Sequence, residues 1–232
     1  AFVQTTGTAP RPGDEAPTAA TPIAATNPQG VAGVSTDPEP RTDFYTTSAS
    51  ELLATGTPFL IAFASPAFCV SQACGPTLTL LKSAADRHPG VVIVHVEPYQ
   101  MSWNGTRLIP VLAAGGGLQA TDIVTAWQVP VEPWIFTVGG DGRILRSIEG
   151  IVSPEELDAA LAELAATGRR ATAIGAGIER LAGLARVGVL RHAHHHHRIH
   201  LLESSHLFAQ WPGRQQSKVT KRPCGIDRGN FH

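Results

Sequence analysis

The sequence has no uninterrupted apolar stretch that approaches the roughly 18–20 residues a membrane helix requires, although 43% of its 232 residues are hydrophobic. It therefore excludes a bundle of membrane helices while permitting a buried core. Cysteine is also scarce, with three residues in the chain. This number excludes the disulfide framework of a small stapled fold. Cys69 and Cys74 are neighbours and Cys224 stands alone, so we expect function for the pair.

Net charge is small as well, at −1, but the two signs are unevenly distributed. Residues 1–166 carry 7 basic and 16 acidic side chains, whereas residues 167–232 carry 11 and 3. This split predicts two unrelated segments. The acidic balance of the first segment argues against nucleic acid as its partner.

The two ends of the chain lack hydrophobic periodicity. Residues 1–42 are rich in Pro, Thr, Ala and Gly, which predicts a disordered linker. Leaders of this composition often separate an exported domain from a membrane anchor. The sequence thus favours an extracytoplasmic location, in a periplasm or cell envelope, with an anchor outside this chain. Residues 167–232 are glycine-rich, basic and His-rich, which predicts a disordered tail without a metal site.

Between these ends, hydrophobic patterns predict an α/β domain over residues 43–166. The expected order is β-α-β-α-β-β-α, preceded by a short helix that starts near Ser48. The expected strands are residues 58–64, 91–96, 134–138 and 143–148; the expected helices begin near Pro76, Thr121 and Ser153. Residues 97–120 are expected to form an insertion loop with some helix. Cys69 and Cys74 then fall at the first strand-to-helix junction, where a helix N-terminus stabilises a thiolate.

This order, together with Trp127-Gln-Val-Pro-Val-Glu-Pro-Trp-Ile-Phe-Thr-Val138, resembles the thioredoxin-like superfamily over roughly residues 43–166. The resemblance implies a central mixed sheet flanked by helices. It also implies that Pro133 is cis and faces the cysteine loop, and that Glu132 offers its backbone to a bound partner chain. Trp134, which flanks this proline, is expected to be a core or rim residue, and an aromatic rim can also receive a partner peptide, so we include it in the substrate-binding segment.

The spacing of the cysteines departs from that family. Thioredoxins carry Cys-x2-Cys, whereas this chain has Cys-x4-Cys. On one continuous helix, residues five apart have Cα atoms about 8–9 Å apart, beyond the limit of about 7 Å for a disulfide. If Cys69 and Cys74 pair, part of residues 69–74 must therefore be a loop, and Gly75-Pro76 favours a helix that starts after Cys74.

Three functions are compatible with the pair. The first is thiol–disulfide exchange with protein thiols or disulfides, as an oxidoreductase without a cofactor, in which Cys69 attacks by analogy with the family's N-terminal cysteine. The second is Cu(I) capture by a Sco-like chaperone, with His95 as the candidate histidine. The third is a non-catalytic binding module with inert cysteines. Glu97, at the end of a predicted strand, is a candidate proton acceptor near the cysteines.

Overall fold

A computed structural model of the chain describes residues 9–169. The basic tail beyond residue 169 and the first eight residues lie outside the described part. The strands are β1 (Phe59–Phe63), β2 (Val92–Val96), β3 (Met101–Trp103), β4 (Leu108–Pro110), β5 (Trp134–Val138) and β6 (Ile144–Glu149). The helices are α1 (Ala49–Thr55), α2 (Cys74–Arg87), α3 (Asp122–Trp127) and α4, described over residues 154–169. None of the helices within residues 9–169 has the length and apolarity needed to cross a membrane.

Four of the strands form a mixed sheet in the order β2-β1-β5-β6. β1 runs parallel to β2 and antiparallel to β5, and β5 runs antiparallel to β6. All five residues of β1 are buried, which fits an apolar strand at the centre of a sheet covered on both faces. The predicted thioredoxin-like fold class, a central mixed sheet flanked by helices, is confirmed.

The sheet separates two apolar clusters. On one face, residues of α2 and α4 such as Leu81 and Leu161 pack against Leu60. On the other face, Trp127 of α3 packs against Phe63. Successive side chains of a strand point to opposite faces, so β1 supplies both clusters and its C-terminal end is held firmly between them. That end leads into the cysteine loop.

Residues 97–120 differ from the prediction of a loop with some helix. They contain the antiparallel hairpin β3–β4, in which Met101 pairs with Pro110. The turn spans residues 104–107, with Gly105 and Thr106 at its centre: Gly105 has φ 99°, and Asn104 Oδ1 accepts the N–H groups of Thr106 and Arg107, each at 3.0 Å. Gly at the first central position of a two-residue turn is a hairpin signal, and the sequence interpretation overlooked it.

Residues 9–42, which we call the N-terminal segment, are described by the structure and make defined contacts with the domain. Gly13 N–H donates to the Ile144 carbonyl at 2.8 Å, and Ile144 N–H donates to the Asp14 carbonyl at 2.9 Å, so this segment lengthens the edge beside β6. Further along, Thr21 Oγ1 accepts the Ala49 N–H at the start of α1. Prolines lower the entropy that such an irregular segment loses on folding, and long-range partners satisfy part of its backbone.

Candidate redox site

The cysteine loop begins where β1 ends. The Ser65 carbonyl accepts the N–H groups of Phe68 at 3.2 Å and Cys69 at 2.9 Å, which closes one tight turn. The chain then leaves helical geometry at Gln72, whose φ of 58° lies in the left-handed region. α2 starts two residues later, at Cys74. The loop therefore consists of a tight turn, a reversal of the chain at the left-handed Gln72, and the first residues of α2.

This reversal allows the two cysteines to pair. Cys69 and Cys74 form a disulfide with their Cα atoms 6.1 Å apart, within the usual range for a disulfide. The expectation that part of residues 69–74 must be non-helical is met at Gln72. The expected helix start after Cys74 is wrong, because Cys74 is itself the first residue of α2 and Gly75-Pro76 lie within its first turn, where Pro lacks only an N–H that has no partner inside the helix.

The two sulfurs differ in their access to solvent. Cys74 is fully buried, with 0% exposure, beneath the partly buried Cys69. Val70 beside Cys69 is 90% exposed. Ser71 Oγ lies 3.1 Å from Cys69 Sγ. A partner can therefore approach the disulfide from the Cys69 side, over an exposed apolar residue.

A buried carboxylate faces the disulfide. One carboxylate oxygen of Glu132 and the sulfurs of Cys69 and Cys74 all lie within 4.8 Å of one another. Glu132 is only 9% exposed, and Tyr99 OH donates a hydrogen bond of 2.7 Å to its Oε2. Burial is the largest cause that raises the pKa of Tyr99, and the hydrogen bond with Glu132 raises it further. The hydroxyl therefore keeps its proton and donates. The carboxylate is thus held in place beside the two sulfurs.

The segment that carries Glu132 touches the cysteine loop through its backbone as well. The Glu132–Pro133 peptide bond is cis, and Ser71 Oγ donates to the Glu132 carbonyl at 3.4 Å. Within residues 9–169 the N–H of Glu132 makes no hydrogen bond. Val131, the residue before it, is 39% exposed, whereas Pro133 is buried. Each of the two segments at the disulfide therefore carries an exposed apolar residue, Val70 in the cysteine loop and Val131 next to Glu132.

Trp134 follows the cis bond and is half-buried. Its indole N–H donates to Ser147 Oγ at 3.0 Å, and its ring stacks on Phe136 with centroids 6.0 Å apart. These contacts anchor the start of β5 to the sheet. They fix the position of the Glu132–Pro133 segment relative to the disulfide.

His95 and Glu97 do not join this cluster. His95 is buried on β2: Nε2 donates to the Ala64 carbonyl at 2.8 Å, which leaves Nδ1 to accept from Tyr45 OH at 2.7 Å. Burial lowers the pKa of His95, so the ring is neutral with both nitrogens engaged. Glu97 Oε1 accepts the N–H and hydroxyl of Thr36 at 2.6 and 2.7 Å.

Within residues 9–169, the donor set that could hold a metal ion consists of Cys69, Cys74 and Glu132. Two thiolates and a carboxylate are ligands that Zn²⁺ accepts, whereas Cu(I) prefers sulfur. The sulfurs are bonded to each other in this structure, so they become ligands only after reduction. His95, the histidine considered for copper, is absent from the set.

The sequence interpretation missed the Glu132 carboxylate and its support by Tyr99. It assigned Glu132 a backbone role and considered Glu97 as the proton acceptor. The sequence did offer one signal: Glu132 directly precedes Pro133, which the resemblance places opposite the cysteines. A charged side chain at that position is therefore expected near the same loop. Tyr99 lies 33 residues earlier, and no local pattern connects it with Glu132.

No family model matches this chain, and no curated protein matches it. Among solved structures, it is similar to MTB dsbF in its mixed oxidized and reduced forms, with 18% identity over 51% of this chain and 87% of that chain and a TM-score of 0.37. It is also similar to the reduced form of the N-terminal domain of PilB from N. meningitidis, with 14% identity over 59% of this chain and 96% of that chain and a TM-score of 0.31. The thioredoxin-like fold of residues 9–169 rests on this chain's own strand order and on its disulfide at the end of β1.

Proposed function

We propose that this protein is an oxidoreductase that carries out thiol–disulfide exchange on protein partners through Cys69 and Cys74. The observation that supports the proposal best is a disulfide at a strand-to-helix junction with one accessible and one fully buried cysteine. Such a pair separates attack from resolution, because the partner reaches one sulfur while the second stays within the protein. Electrons pass through the two sulfurs alone, so the proposal includes no cofactor.

The exchange begins from the reduced pair. The Cys69 thiolate attacks a partner disulfide, forms a mixed disulfide and releases the first partner thiolate. The Cys74 thiolate then attacks Cys69 Sγ, which restores the Cys69–Cys74 bond and releases the second partner thiolate. Two electrons move from the pair to the partner. The same steps in reverse oxidise a partner dithiol.

Glu132 completes this scheme as the proton acceptor for Cys74. A buried thiol must lose its proton before it attacks, and the thiolate is the reactive form. Within the described residues, the Glu132 carboxylate stands next to both sulfurs and is held there by Tyr99 OH. It takes the proton from Cys74 during resolution and returns it when the disulfide is opened.

The partner chain binds over the exposed apolar residues Val70 and Val131, and the N–H of Glu132, which has no acceptor within residues 9–169, offers it a backbone hydrogen bond. Trp134 anchors this segment to the sheet through its hydrogen bond to Ser147. An extracytoplasmic compartment suits the proposal, because a disulfide persists where the surroundings are oxidising. We also propose that a membrane anchor outside this chain tethers the protein in that compartment.

Equilibration against a glutathione redox buffer tests the function. In the full chain with Cys224→Ser, the Cys69–Cys74 disulfide should form and open reversibly, and Cys74→Ser should accumulate a mixed disulfide at Cys69. Cys69→Ser is the matched control and should trap little partner because Cys74 is buried. A pair that stays unchanged across the whole buffer range would sink the exchange proposal and favour the inert binding module.

Copper capture is the second candidate, and it rests on the pair becoming two thiolates on reduction. The reduced full chain should then bind one Cu(I) per molecule, and loss of binding in His95→Gln would support a Sco-like ligand set. We expect His95→Gln to leave any binding unchanged, because both nitrogens of His95 are engaged elsewhere.

A further inference from the structure

A groove of about 440 Å³ lies beside the cysteine loop. Three segments form it: the N-terminal segment, the start of the cysteine loop and the β3–β4 hairpin. Its apolar lining includes Pro38 and Pro40 from the first, Phe68 from the second and Trp103 from the third. Pro38 is exposed and the other three are half-buried, so the groove presents rigid apolar walls to solvent.

The polar residues that the N-terminal segment contributes to the groove already have partners within the protein. Thr36 donates to Glu97, and its Oγ1 accepts the Ala67 N–H at 3.2 Å. Asp37, the acidic residue of the lining, accepts from Lys82 Nζ at 2.9 Å and is mostly buried. A ligand therefore finds little free acceptor capacity on this side of the groove.

Donor groups remain available at the hairpin, among them those of Arg107 and Trp103. Arg107 lines the groove and is exposed, and its guanidinium has no acidic partner among residues 9–169. The indole N–H of Trp103 likewise has no acceptor in that part of the chain. The groove thus combines apolar walls with unpaired donors and one positive charge, which complements an apolar side chain accompanied by a carboxylate.

The groove is continuous with the redox site. Phe68 immediately precedes Cys69, while the Glu132 contact is made by Ser71 on the other side of that cysteine. A partner whose sulfur is bonded to Cys69 therefore has the groove on one side and the Glu132–Pro133 segment on the other. At about 3.3 Å per extended residue, positions roughly two to four from the partner's cysteine can reach it.

We infer that this groove selects the partner proteins of the redox site: it binds a segment next to the partner's reactive cysteine, with an apolar side chain between Phe68 and Trp103 and an acidic side chain against Arg107. The inference rests on the proposed exchange function. It names the substrate class as protein segments that carry an apolar and an acidic residue close to a cysteine.

The test uses the oxidised full chain and single-cysteine synthetic peptides that carry Leu-Asp or Leu-Lys two to four residues from the cysteine, on either side. The rate at which each peptide thiol opens the Cys69–Cys74 disulfide is followed against peptide concentration. At the favoured placement, the Leu-Asp peptide should reach half-maximal rate at a concentration about threefold lower than the Leu-Lys peptide. The maximal rates should be alike, because the groove does not touch the sulfurs.

Arg107→Glu should reverse this preference, and Trp103→Ala should raise the half-saturating concentration of both peptides by about tenfold. Arg169→Glu is the matched control for charge. Arg169 follows Gly168 in the last described turn of α4. Gly168 approaches Pro58 just before β1, at the opposite end of that strand from the cysteine loop. This control should keep the wild-type preference.

Equal half-saturating concentrations for both peptides at every placement, or equal effects of Arg107→Glu and Arg169→Glu, would overturn the inference. A small neutral thiol, 2-mercaptoethanol, separates that failure from failure of the function. If it opens the disulfide in every variant while the peptides show no charge preference, the groove inference alone is lost. If it fails to open the disulfide in the wild-type chain, the exchange function is lost.

Discussion

Two buried carboxylates near the cysteine loop, those of Glu97 and Glu132, have similar burial and different surroundings. Glu97 is 8% exposed and Glu132 is 9% exposed. Glu97 Oε1 binds Thr36 of the N-terminal segment, and its Oε2 has no hydrogen-bond partner in the described structure. Glu132 binds one hydroxyl and faces two sulfurs. Burial alone therefore does not distinguish the two carboxylates; they differ in the groups that they face.

The strongest test of this contrast is Glu132→Gln. The amide keeps the shape and can accept from Tyr99 OH, but it cannot take a proton from Cys74. We expect resolution of a mixed disulfide at Cys69 to slow by about 100-fold, with a flatter pH profile. Stopped-flow measurement of resolution checks this, and Glu97→Gln is the matched control. Equal rates in the two variants would remove Glu132 from the proton-transfer step.

The reverse test uses Glu97→Ala, which should act on stability rather than on exchange. Removing the carboxylate leaves the Thr36 N–H without its acceptor and detaches the N-terminal segment from the end of β2. We expect a loss of about 2 kcal/mol in the free energy of unfolding, measured by urea denaturation of the oxidised chain. Exchange by the molecules that remain folded should be nearly normal; a loss of exchange without a loss of stability would contradict the assignment.

The sequence predicted the central architecture because that part depends on local patterns. Trp134-Ile-Phe-Thr-Val138 is the strand that the apolar run predicts, and β1 and β2 differ from their predicted bounds by single residues. Each is a short apolar run bounded by turn residues, and a fully buried strand needs no further information. The position of the cysteine pair in the fold could be predicted for the same reason, because the pair comes shortly after β1 in the sequence.

The remaining features depend on contacts between distant residues. Thr36 and Glu97 are 61 residues apart, and their hydrogen bonds help to order a segment whose composition alone indicates disorder. The Glu132 side chain is held by Tyr99, 33 residues earlier. The left-handed Gln72 that lets the widened pair close is also invisible in the sequence, because glutamine has no strong preference for that conformation. The hydrophobic periodicity of the sequence carries no information on any of these contacts.

A smaller effect is expected at His95, which lies near Glu97 and away from the disulfide cluster. Burial is the main cause that lowers its pKa, and the nearby Glu97 carboxylate acts in the opposite direction. Below about pH 6.5 the unfolded chain binds a proton that the folded chain does not, so stability should fall as pH falls. The slope should approach about 1.4 kcal/mol per pH unit.

Urea denaturation of the oxidised chain between pH 7 and pH 5 measures this slope. His95→Gln should reduce it, whatever its effect on absolute stability, whereas His88→Gln, at a partly exposed histidine bonded to Asp158, should retain it. An unchanged slope in His95→Gln would assign the acid sensitivity to other groups.

The smallest effect should follow from Tyr99→Phe, and it sharpens the comparison of the two carboxylates most directly. Loss of one hydroxyl removes the 2.7 Å bond to Glu132 Oε2 and leaves the carboxylate facing the same sulfurs. Because one hydrogen bond to a charged group contributes about 1.5–3 kcal/mol and water can replace part of it, we expect resolution to slow by about five- to tenfold. Combined with Glu132→Gln, Tyr99→Phe should add little, since it acts through the carboxylate. Additive losses in the double variant, measured by the same stopped-flow assay, would show that Tyr99 acts on the site independently of Glu132.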